Sequence, residues 1–411
     1  MNITGTYPSD AFRNQLLEDV FAAYFRARRN KRNTTSQLAF EMEAESNLIR
    51  LFNELLDRCF EPEPYVCFIV DHPIKREVFA SQFRDRIVHH LLFGYIEPIF
   101  ERRFIFDSYS CRKGKGTSEG IKRLEHHIRS CSDNYKNPAW VLKLDLKGYF
   151  MSIDKNITYQ YITTILHKHW AKNYCDPSLP GSNPEFIDFL LRTILFKEPA
   201  KNVILRSDPS EWIGLPPTKS LLQCRKDKGL PIGDLTSQLF SNIYMGVFDN
   251  YLKRTMRIKH YGRYVDDFFV VHNSKGYLKD LIPEFRKYLW EEFELTLHPD
   301  KIYLQDVTKG VLFLGGFIKP HRTYPSDRCV KQFRHAMNGM EKFFRQDDPG
   351  RDLLVKLRAR INSYLGHLGS FKSRKIIMDT LKSTSVFKHF AYIPAKNKVI
   401  LLNRNTVRRT G

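Results

Sequence analysis

Two adjacent carboxylates interrupt an otherwise aromatic and β-branched run in the stretch Tyr261–Val271, whose sequence is YGRYVDDFFVV. Aromatic and β-branched residues favour extended strands, so this pattern predicts a β-hairpin with Asp266 and Asp267 at its tip. The same two residues are also typical of an ordinary solvated turn, which carries no chemistry. The hairpin constrains the fold. Whether its carboxylates have a chemical role depends on which other side chains the fold places beside them.

A second apolar strand ends in another carboxylate. The stretch Val141–Phe150 has the sequence VLKLDLKGYF, in which Asp145 follows a mostly apolar run. Two strands that each place an aspartate at the same edge of a sheet bring their carboxylates together. Such carboxylates could hold divalent metals, and two-metal phosphoryl transfer requires ions roughly 3.5–4 Å apart that clamp the attacking and leaving oxygens.

The composition indicates a polyanionic partner. Among 411 residues, 66 Lys and Arg against 45 Asp and Glu give a formal net charge of +21, and 13% of the residues are aromatic. Positive charge attracts phosphates and aromatic rings stack on bases, so nucleic acid is the expected partner. An acidic membrane surface is the competing explanation, but the sequence contains no run of about 18 apolar residues that could cross a membrane.

The sequence also predicts a cytoplasmic protein. The segment Met1–Thr6 lacks the charged stretch and the apolar core of a secretion signal. The seven cysteines are scattered and never form a C-x-x-C pair, so they are expected to be reduced thiols that build neither a zinc site nor a disulfide framework.

A glycine-rich basic loop offers a candidate phosphate site. In the stretch Phe106–Gly116, Arg112, Lys113 and Lys115 are interleaved with glycines, so the backbone can approach a ligand closely while cations face it. Such a loop can hold a triphosphate, although it is also a common form of surface turn. A second Gly/Pro turn, Gly229–Gln238, opens a helix whose small residues would let the backbone pass beneath a base pair.

Periodicity and composition divide the chain into three predicted domains. Residues 1–64 form a helical extension that includes one helix over Leu38–Cys59, and residues 65–325 hold the mixed core. Residues 326–411 form a domain of basic helices and a tail, too short for a further nuclease domain. The less regular stretch between Phe150 and Lys228, which includes an insertion over about residues 165–225, is expected to be packing decoration.

Taken together, these motifs resemble those of reverse transcriptases. The Tyr264-Val265-Asp266-Asp267 box, the Asp145 strand with an aromatic residue five positions on, the Gly229–Gln238 turn and the Leu314-Gly315-Gly316 hairpin are arranged along the chain as in that family. The match covers roughly residues 65–320. It implies an α+β fold of the right-hand polymerase type, with fingers, a palm built on an antiparallel sheet and a helical thumb.

The resemblance implies a two-metal active site. Its ions would be two Mg²⁺, for which Mn²⁺ could substitute, because hard oxygen ligands suit them. The implied ligands are Asp145, Leu146 through its carbonyl oxygen, Asp266 and, less directly, Asp267. Lys301 resembles the lysine that protonates the leaving pyrophosphate, and a salt bridge to a carboxylate is the alternative role for it.

Other positions resemble substrate contacts of the family. Phe150 resembles the ring beneath the sugar that excludes a 2′-hydroxyl, with Tyr149 as the alternative gate and a core position as the alternative role of Phe150. The residues that the resemblance places on the triphosphate are Arg112, Lys113 and Lys115. The residues that it places at the primer grip are Leu314, Gly315 and Gly316. The basic helices after residue 325 resemble a thumb that grips the primer–template duplex.

The segment Ile232–Gln238, with the sequence IGDLTSQ, indicates a subtype. Group II intron reverse transcriptases usually carry Ser-Pro where this chain has Ser237-Gln238, and the pattern I-G-x-x-x-S-Q resembles enzymes of diversity-generating retroelements. The motifs Arg84–His90, Cys111–Gly116 and Ser363–His367 add to this resemblance. Asp234 departs from the asparagine that is often found at its position.

Enzymes of this bacterial and phage subtype copy a template-repeat RNA into cDNA with frequent errors opposite adenine, and they act with a small basic accessory protein. The resemblance therefore implies template RNA, a cDNA–primer duplex and dNTPs as partners, and it puts Ile232 and Gln238 near the nascent base pair. Two alternatives stay open. One is a retron-like or phage-defence reverse transcriptase, and the other is a catalytically silent RNA-binding scaffold.

Overall fold

The structure is a computed structural model that describes residues 9–29, 34–71 and 74–402. Residues 1–8 of the predicted N-terminal extension and residues 403–411 of the predicted C-terminal domain lie outside the described residues. Helices and short strands alternate along the chain. Within the described ranges, no helix combines the length and the apolar character needed to span a membrane.

Helices begin where a polar cap precedes an apolar periodic run. Ser9 accepts a hydrogen bond from the Phe12 amide at the start of the first helix, and Asp154 and Asn183 cap two later helices in the same way. Within the described residues the α-helices are α1 (Asp10–Arg28), α2 (Thr35–Glu41), α3 (Ala44–Leu56), α4 (Phe83–Glu101), α5 (Thr117–Cys131), α6 (Tyr149–Ser152), α7 (Lys155–Asn173), α8 (Pro184–Leu195), α9 (Leu235–Asn250), α10 (Lys275–Phe293), α11 (Asp327–Phe344), α12 (Arg351–Leu368) and α13 (Arg374–Lys382).

The strands are short and most of their pairings are antiparallel. In the described part of the chain they are β1 (Val66–Val70), β2 (Arg76–Ala80), β3 (Trp140–Asp145), β4 (Ile204–Leu205), β5 (Tyr261–Tyr264), β6 (Asp267–His272), β7 (Tyr303–Asp306), β8 (Val311–Phe313), β9 (Gly316–Lys319), β10 (Arg322–Pro325), β11 (Phe390–Ile393) and β12 (Lys398–Leu401). The sheets have the strand orders β5-β6-β3-β7, β2-β1-β4, β10-β9-β8 and β11-β12.

The predicted hairpin over Tyr261–Val271 is confirmed. It consists of β5 and β6, and the turn between them contains Val265 and Asp266. In the sheet order, β6 is the direct neighbour of β3, which ends at Asp145. The two strands that the sequence marked with carboxylates are therefore adjacent.

The single helix predicted over Leu38–Cys59 is wrong. The chain forms α2 and α3 with a break at Glu43, whose φ is −131°. Glu41, the last residue of α2, accepts a 2.7 Å hydrogen bond from Arg28 Nε, so this end of α2 is held against α1. Helical periodicity could not reveal the break between α2 and α3, because the Arg28–Glu41 contact beside it is made with another helix, α1.

Backbone proximity divides the chain into two compact units. The first contains the chain up to residue 114 with residues 143–269 and 279–302, and the second contains residues 115–142 and 270–278 with the chain from residue 303 on. In the first unit, α1 packs on α4, and α4 packs on α9, whose side chains are mostly buried. In the second, α11, α12 and α13 share a hydrophobic core. The three-domain division stays a prediction.

Part of the segment expected to be decoration is anchored to β2 within the first unit. The Glu77 side chain is fully buried and accepts hydrogen bonds from Trp212 Nε1 at 2.7 Å, from Ser220 Oγ at 2.8 Å and from a backbone amide. A Cβ at Gly148 would lie 2.7 Å from the carbonyl oxygen of Thr218. The segment therefore contacts the turn that follows β3, and glycine is the residue that permits this approach.

Candidate active site

The turn between β5 and β6 has an unusual backbone. Val265 has a φ of 57°, a left-handed conformation that β-branched residues rarely adopt because Cβ crowds the backbone. Its carbonyl oxygen accepts a 2.8 Å hydrogen bond from Arg263 Nη1. This turn determines where Asp266 and Asp267, the next two residues, are presented.

Arg263 is itself held by a buried ion pair. Its side chain and that of Asp249 on α9 are both 0% exposed. Arg263 Nε donates to Asp249 Oδ1 at 2.8 Å and Nη2 donates to Oδ2 at 2.7 Å, which is the bidentate geometry of a strong pair. The Tyr261 hydroxyl donates to the same carboxylate at 2.6 Å. The hairpin is thus anchored to the central helix of its unit immediately before the carboxylates.

The end of β3 lies beside this turn. The amide of Leu146, one residue after Asp145, donates a 3.3 Å hydrogen bond to the carbonyl oxygen of Asp266. The backbone segments that carry the two carboxylates are therefore in direct contact. Lys301 Nζ lies 2.9 Å from Asp145 Oδ1 and 3.0 Å from Oδ2, so the lysine forms an ion pair with that carboxylate.

The positive charges near the turn only partly compensate its two carboxylates. Burial, with a contribution from the charge of Asp145, raises the pKa of Asp266 to about 6. Burial also raises the pKa of Asp267 to about 6, although the Lys143 ammonium, 3.9 Å from Asp267 Oδ2, opposes this shift. Both shifts mean that the ionised forms are costly in this environment.

These oxygens suit a hard divalent cation. Desolvated and mutually repelling carboxylates gain most from a nearby cation, and Mg²⁺ prefers oxygen ligands. Among residues 9–29, 34–71 and 74–402, no group of three or more His, Cys, Asp or Glu side chains is already arranged as a metal site. The donor set fits Mg²⁺ chemically, and the assignment of Asp145, Leu146, Asp266 and Asp267 as ligands stays a prediction.

Arg76 is a cation of this site that no sequence motif indicated. It is exposed at the start of β2, and its charge makes a small contribution against the burial-driven rise in the pKa of Asp266. Its neighbour Lys75 is engaged elsewhere, because its ammonium donates to the carbonyl oxygens of Glu211 at 2.8 Å and Ile213 at 3.0 Å. The available signal was a basic pair directly before a strand, a pattern too common to assign on its own.

Tyr149 and Phe150 occupy different environments. Tyr149 is buried, and its hydroxyl donates a 2.8 Å hydrogen bond to the carbonyl oxygen of Ser241. Phe150 is only partly buried and packs, together with Ile232, against an apolar cluster that contains Phe79. Phe150 is therefore the ring of the two that a bound sugar could reach, which supports it as the predicted gate.

We expect Phe150→Ala to admit ribonucleotides. Removal of the ring opens space for a 2′-hydroxyl, so the preference for dGTP over GTP, measured as the ratio of kcat/KM values, should fall roughly tenfold to a hundredfold. Tyr149→Phe is the control, since it removes only the hydroxyl that is bonded to Ser241. Unchanged sugar selectivity in Phe150→Ala would move the gate to Tyr149.

The three predicted triphosphate cations have different surroundings. The Arg112 guanidinium forms an ion pair with Glu101, with contacts of 2.7–3.0 Å, and donates to two backbone carbonyl oxygens. Only 7% of its side chain is exposed. Lys113 is exposed in the same unit, whereas Lys115 belongs to the second unit. Their triphosphate role stays a prediction, and Arg112 would have to exchange its Glu101 pair to fulfil it.

The remaining predicted contacts lie in separate units. Gln238, in the first turn of α9, lines a cleft of about 250 Å³ in the first unit together with Arg26, Arg29 and Arg86. The predicted primer grip, Leu314–Gly316, forms the β8–β9 turn of the second unit. Both assignments stay predictions.

Carboxylates at the ends of adjacent strands, one of them ion-paired with a lysine, are an arrangement expected of an enzyme that transfers nucleotides. The family model described as reverse transcriptase (RNA-dependent DNA polymerase) matches residues 76–318. This match spans more than half of the chain, and the chain belongs to that family.

Individual relatives are more distant. The chain is similar to protein YkfC of Escherichia coli strain K12, with 24% identity over 336 residues that cover 73% of this chain and 77% of YkfC. It is also similar to the structure of Candida albicans telomerase in complex with a telomeric RNA fragment, at 10% identity and a TM-score of 0.47, covering 84% of this chain and 60% of that one. It is similar as well to the structure of apo telomerase of Candida tropicalis, truncated from its C-terminal domain, at 14% identity and a TM-score of 0.46. That match covers 64% of this chain and 56% of the telomerase chain. The chain thus spans little more than half the length of these telomerase chains.

Membership of the family confirms the predicted enzyme class, an RNA-directed DNA polymerase. The predicted α+β fold is confirmed by the mixture of helices and mostly antiparallel strands, and the right-hand polymerase type accords with membership of the family. The retroelement subtype and the roles of individual residues stay predictions.

Proposed function

We propose that this chain makes cDNA on an RNA template by joining dNTPs to a primer 3′-hydroxyl. The observation that carries the proposal is the backbone contact between the end of β3 and the β5–β6 turn, which supports a shared site for the carboxylates of Asp145, Asp266 and Asp267. When bound there, two Mg²⁺ ions would make the hydroxyl more acidic and stabilise the leaving pyrophosphate. The three aspartates and the Leu146 carbonyl oxygen would hold them.

Two cations would contact the phosphates of the substrate, one at the leaving pyrophosphate and one at the incoming triphosphate. Lys301 forms the salt bridge to a carboxylate, here Asp145, that was the alternative role for it, and it would have to leave this pair to donate a proton to the departing pyrophosphate. Arg76 acts on Asp266 from β2, which supports it as a ligand of the incoming triphosphate. This role for Arg76 is consistent with the engagement of Arg112 by Glu101.

A basic cleft in the first unit supports RNA as the template. Arg26 on α1, Arg29 directly after α1 and Arg86 on α4 line it, and guanidinium groups bind phosphates in a bidentate manner. Phe25, next to Arg26, is 60% exposed. An exposed ring beside cations is typical of surfaces on which unpaired bases stack. We assign the unpaired template strand to this cleft, where Gln238 would meet it.

We further propose that the enzyme is the error-prone polymerase of a bacterial or phage diversity-generating retroelement, acting in the cytoplasm. The I-G-x-x-x-S-Q pattern supports this subtype. Ile232 packs against the cluster that Phe150 contacts, and Gln238 lines the basic cleft. Changes at either position would alter the surroundings of a nascent base pair. The partners in this proposal are a template-repeat RNA and a small basic accessory protein.

Primer extension on a defined RNA template with Mg²⁺ and all four dNTPs tests both levels of the proposal. We expect cDNA in which errors at template adenines are roughly tenfold or more as frequent as errors at other bases, a difference of about 1.4 kcal/mol in selectivity. A second template, in which adenines and uracils are exchanged, should move the errors with the adenines.

Accurate cDNA would contradict the subtype and favour a retron-like or phage-defence enzyme. No cDNA with Mg²⁺ or Mn²⁺, on any of several primed RNAs and with the basic accessory protein added, would contradict polymerase activity and favour the RNA-binding scaffold.

A further inference from the structure

The Ser363–His367 motif has no role in the proposed function so far, yet its histidine lies against the β8–β9 turn. Leu314 and Gly315, the central residues of that turn, have φ values of 49° and 87°. Two positive φ values define a hairpin turn for which Asn-Gly is the preferred sequence, so a leucine in the first position is strained. Contacts from outside the hairpin are needed to stabilise this conformation.

Helices α11 and α12 of the same unit supply those contacts. A Cβ at Gly315 would lie 3.2 Å from Cys329 Sγ and 3.2 Å from His367 Nε2, so both side chains pack directly on the glycine. The thiol and the imidazole are 3.5 Å apart and hydrogen-bonded. The Ser326 amide, at the start of α11, donates a 2.8 Å hydrogen bond to the carbonyl oxygen of Gly315. We call Ser326, Cys329 and His367 the turn seat.

The imidazole suits this position in its neutral form. Burial lowers the pKa of His367 below its ordinary value, so the ring is uncharged near pH 7. Neutral Nε2 either accepts a hydrogen bond from the Cys329 thiol or donates one to the sulfur, depending on the tautomer. Phe371 packs edge-on against the ring at 5.5 Å and restricts its orientation. The ring is therefore held at a fixed place against Gly315.

We propose that His367 is a positioning residue for the primer terminus. Together with Cys329 it holds the Leu314–Gly316 turn in the strained conformation that contacts the primer 3′-end. The inference rests on the proposed function, because a primer terminus has to be extended for its position to matter. It gives the Ser363–His367 motif a role and explains why residue 315 is a glycine, since any side chain there would push the imidazole and the thiol away.

His367→Phe and His367→Gln test the inference. Phenylalanine keeps a ring but has no polar atom for Cys329, whereas the glutamine amide can reach the place of Nε2. At saturating primer–template and dNTP, we expect His367→Phe to slow addition of a single nucleotide by about tenfold or more. Duplex affinity, measured by fluorescence anisotropy without dNTP, should change by less than about threefold, because the rest of the duplex contact is intact. His367→Gln should recover most of the rate, and His167→Phe, at an exposed position of α7, should leave it unchanged.

Two glycine variants separate a positioning effect from a backbone defect. Gly315 and Gly350 both have positive φ values, 87° and 79°, so alanine strains the backbone at either position. A Cβ at Gly350 would meet nothing within 4 Å, whereas a Cβ at Gly315 would press on His367 and Cys329. We expect Gly315→Ala, but not Gly350→Ala, to slow nucleotide addition as His367→Phe does.

The outcomes are distinguishable. A wild-type rate in His367→Phe, or equal slowing by the two glycine variants, would overturn the inference and leave the proposed function intact. A parallel loss of rate and duplex affinity in His367→Phe, without rescue by glutamine, would make His367 a structural residue and would also overturn it. If the wild-type chain extends no primer, the proposed function fails, and the inference fails with it.

Discussion

Asp266→Asn is expected to abolish nucleotide addition while primer–template binding persists. The change removes a negative charge from a turn in which burial already raises the pKa values of both aspartates to about 6. The amide is similar in size, so the hairpin should keep its shape while it loses a hard anionic ligand. We expect the single-turnover rate to fall by about a thousandfold or more, the upper range for losing one group that stabilises the transition state. Rapid-quench extension measures the rate, and fluorescence anisotropy measures the binding.

Asp280→Asn is the matched control, because Asp280 is an exposed aspartate on α10. It should extend the primer at the wild-type rate. An Asp266→Asn variant that retained more than about a tenth of the activity would rule out Asp266 as a required ligand, since each tenfold corresponds to only about 1.4 kcal/mol.

Arg263→Met is expected to lower the free energy of unfolding by about 3–5 kcal/mol, the usual cost of breaking a buried ion pair. Both members of the Arg263–Asp249 pair are 0% exposed and are joined by two hydrogen bonds of 2.7 and 2.8 Å. Methionine would leave the Asp249 carboxylate buried and, among the described residues, with the Tyr261 hydroxyl as its remaining side-chain donor. Urea denaturation followed by circular dichroism measures the difference.

A double variant tests whether the unpaired charge causes this loss. Arg263→Met combined with Asp249→Leu removes both charges, and we expect it to be more stable than Arg263→Met alone. The exposed pair Arg345–Glu341 offers the control: 75% of the Arg345 side chain is exposed, so Arg345→Met should cost less than about 1 kcal/mol. Equal losses in Arg263→Met and Arg345→Met would contradict the account of the buried pair.

The carboxylates could be predicted from the sequence because local patterns mark them. Asp145 and the Asp266-Asp267 pair each interrupt an apolar run at the end of a strand, and strand type and turn position follow from short stretches of sequence. The support beneath them could not be predicted in the same way. Asp249 is one acidic residue among several on helices, and only the fold shows that it faces Arg263.

Arg112 and Arg76 show that the sequence could not predict which cation faces the candidate active site. Alternating glycines and cations predict a phosphate loop, but composition does not give the direction of a side chain. The fold turns the Arg112 guanidinium towards Glu101. It brings Arg76, which lies in an unremarked basic pair, within electrostatic reach of Asp266. The sequence predicted that a basic side chain would serve the triphosphate, but only the tertiary structure indicates which basic side chain acts on the candidate active site.

The buried Glu77 makes β2 and the segment around Trp212–Leu221, which covers it, depend on each other. Within the described residues, the hydrogen bonds that this buried carboxylate accepts come from Trp212, Ser220 and the Leu221 amide. Deletion of the segment would remove the donors of this carboxylate together with its cover, and replacement of Glu77 alone would leave buried donors without an acceptor. Either change by itself is costly, so we expect the glutamate and the segment to be retained or lost together. Descendants of a common ancestor are expected to keep both or to lose both, which makes the pair a marker of lineage within the family.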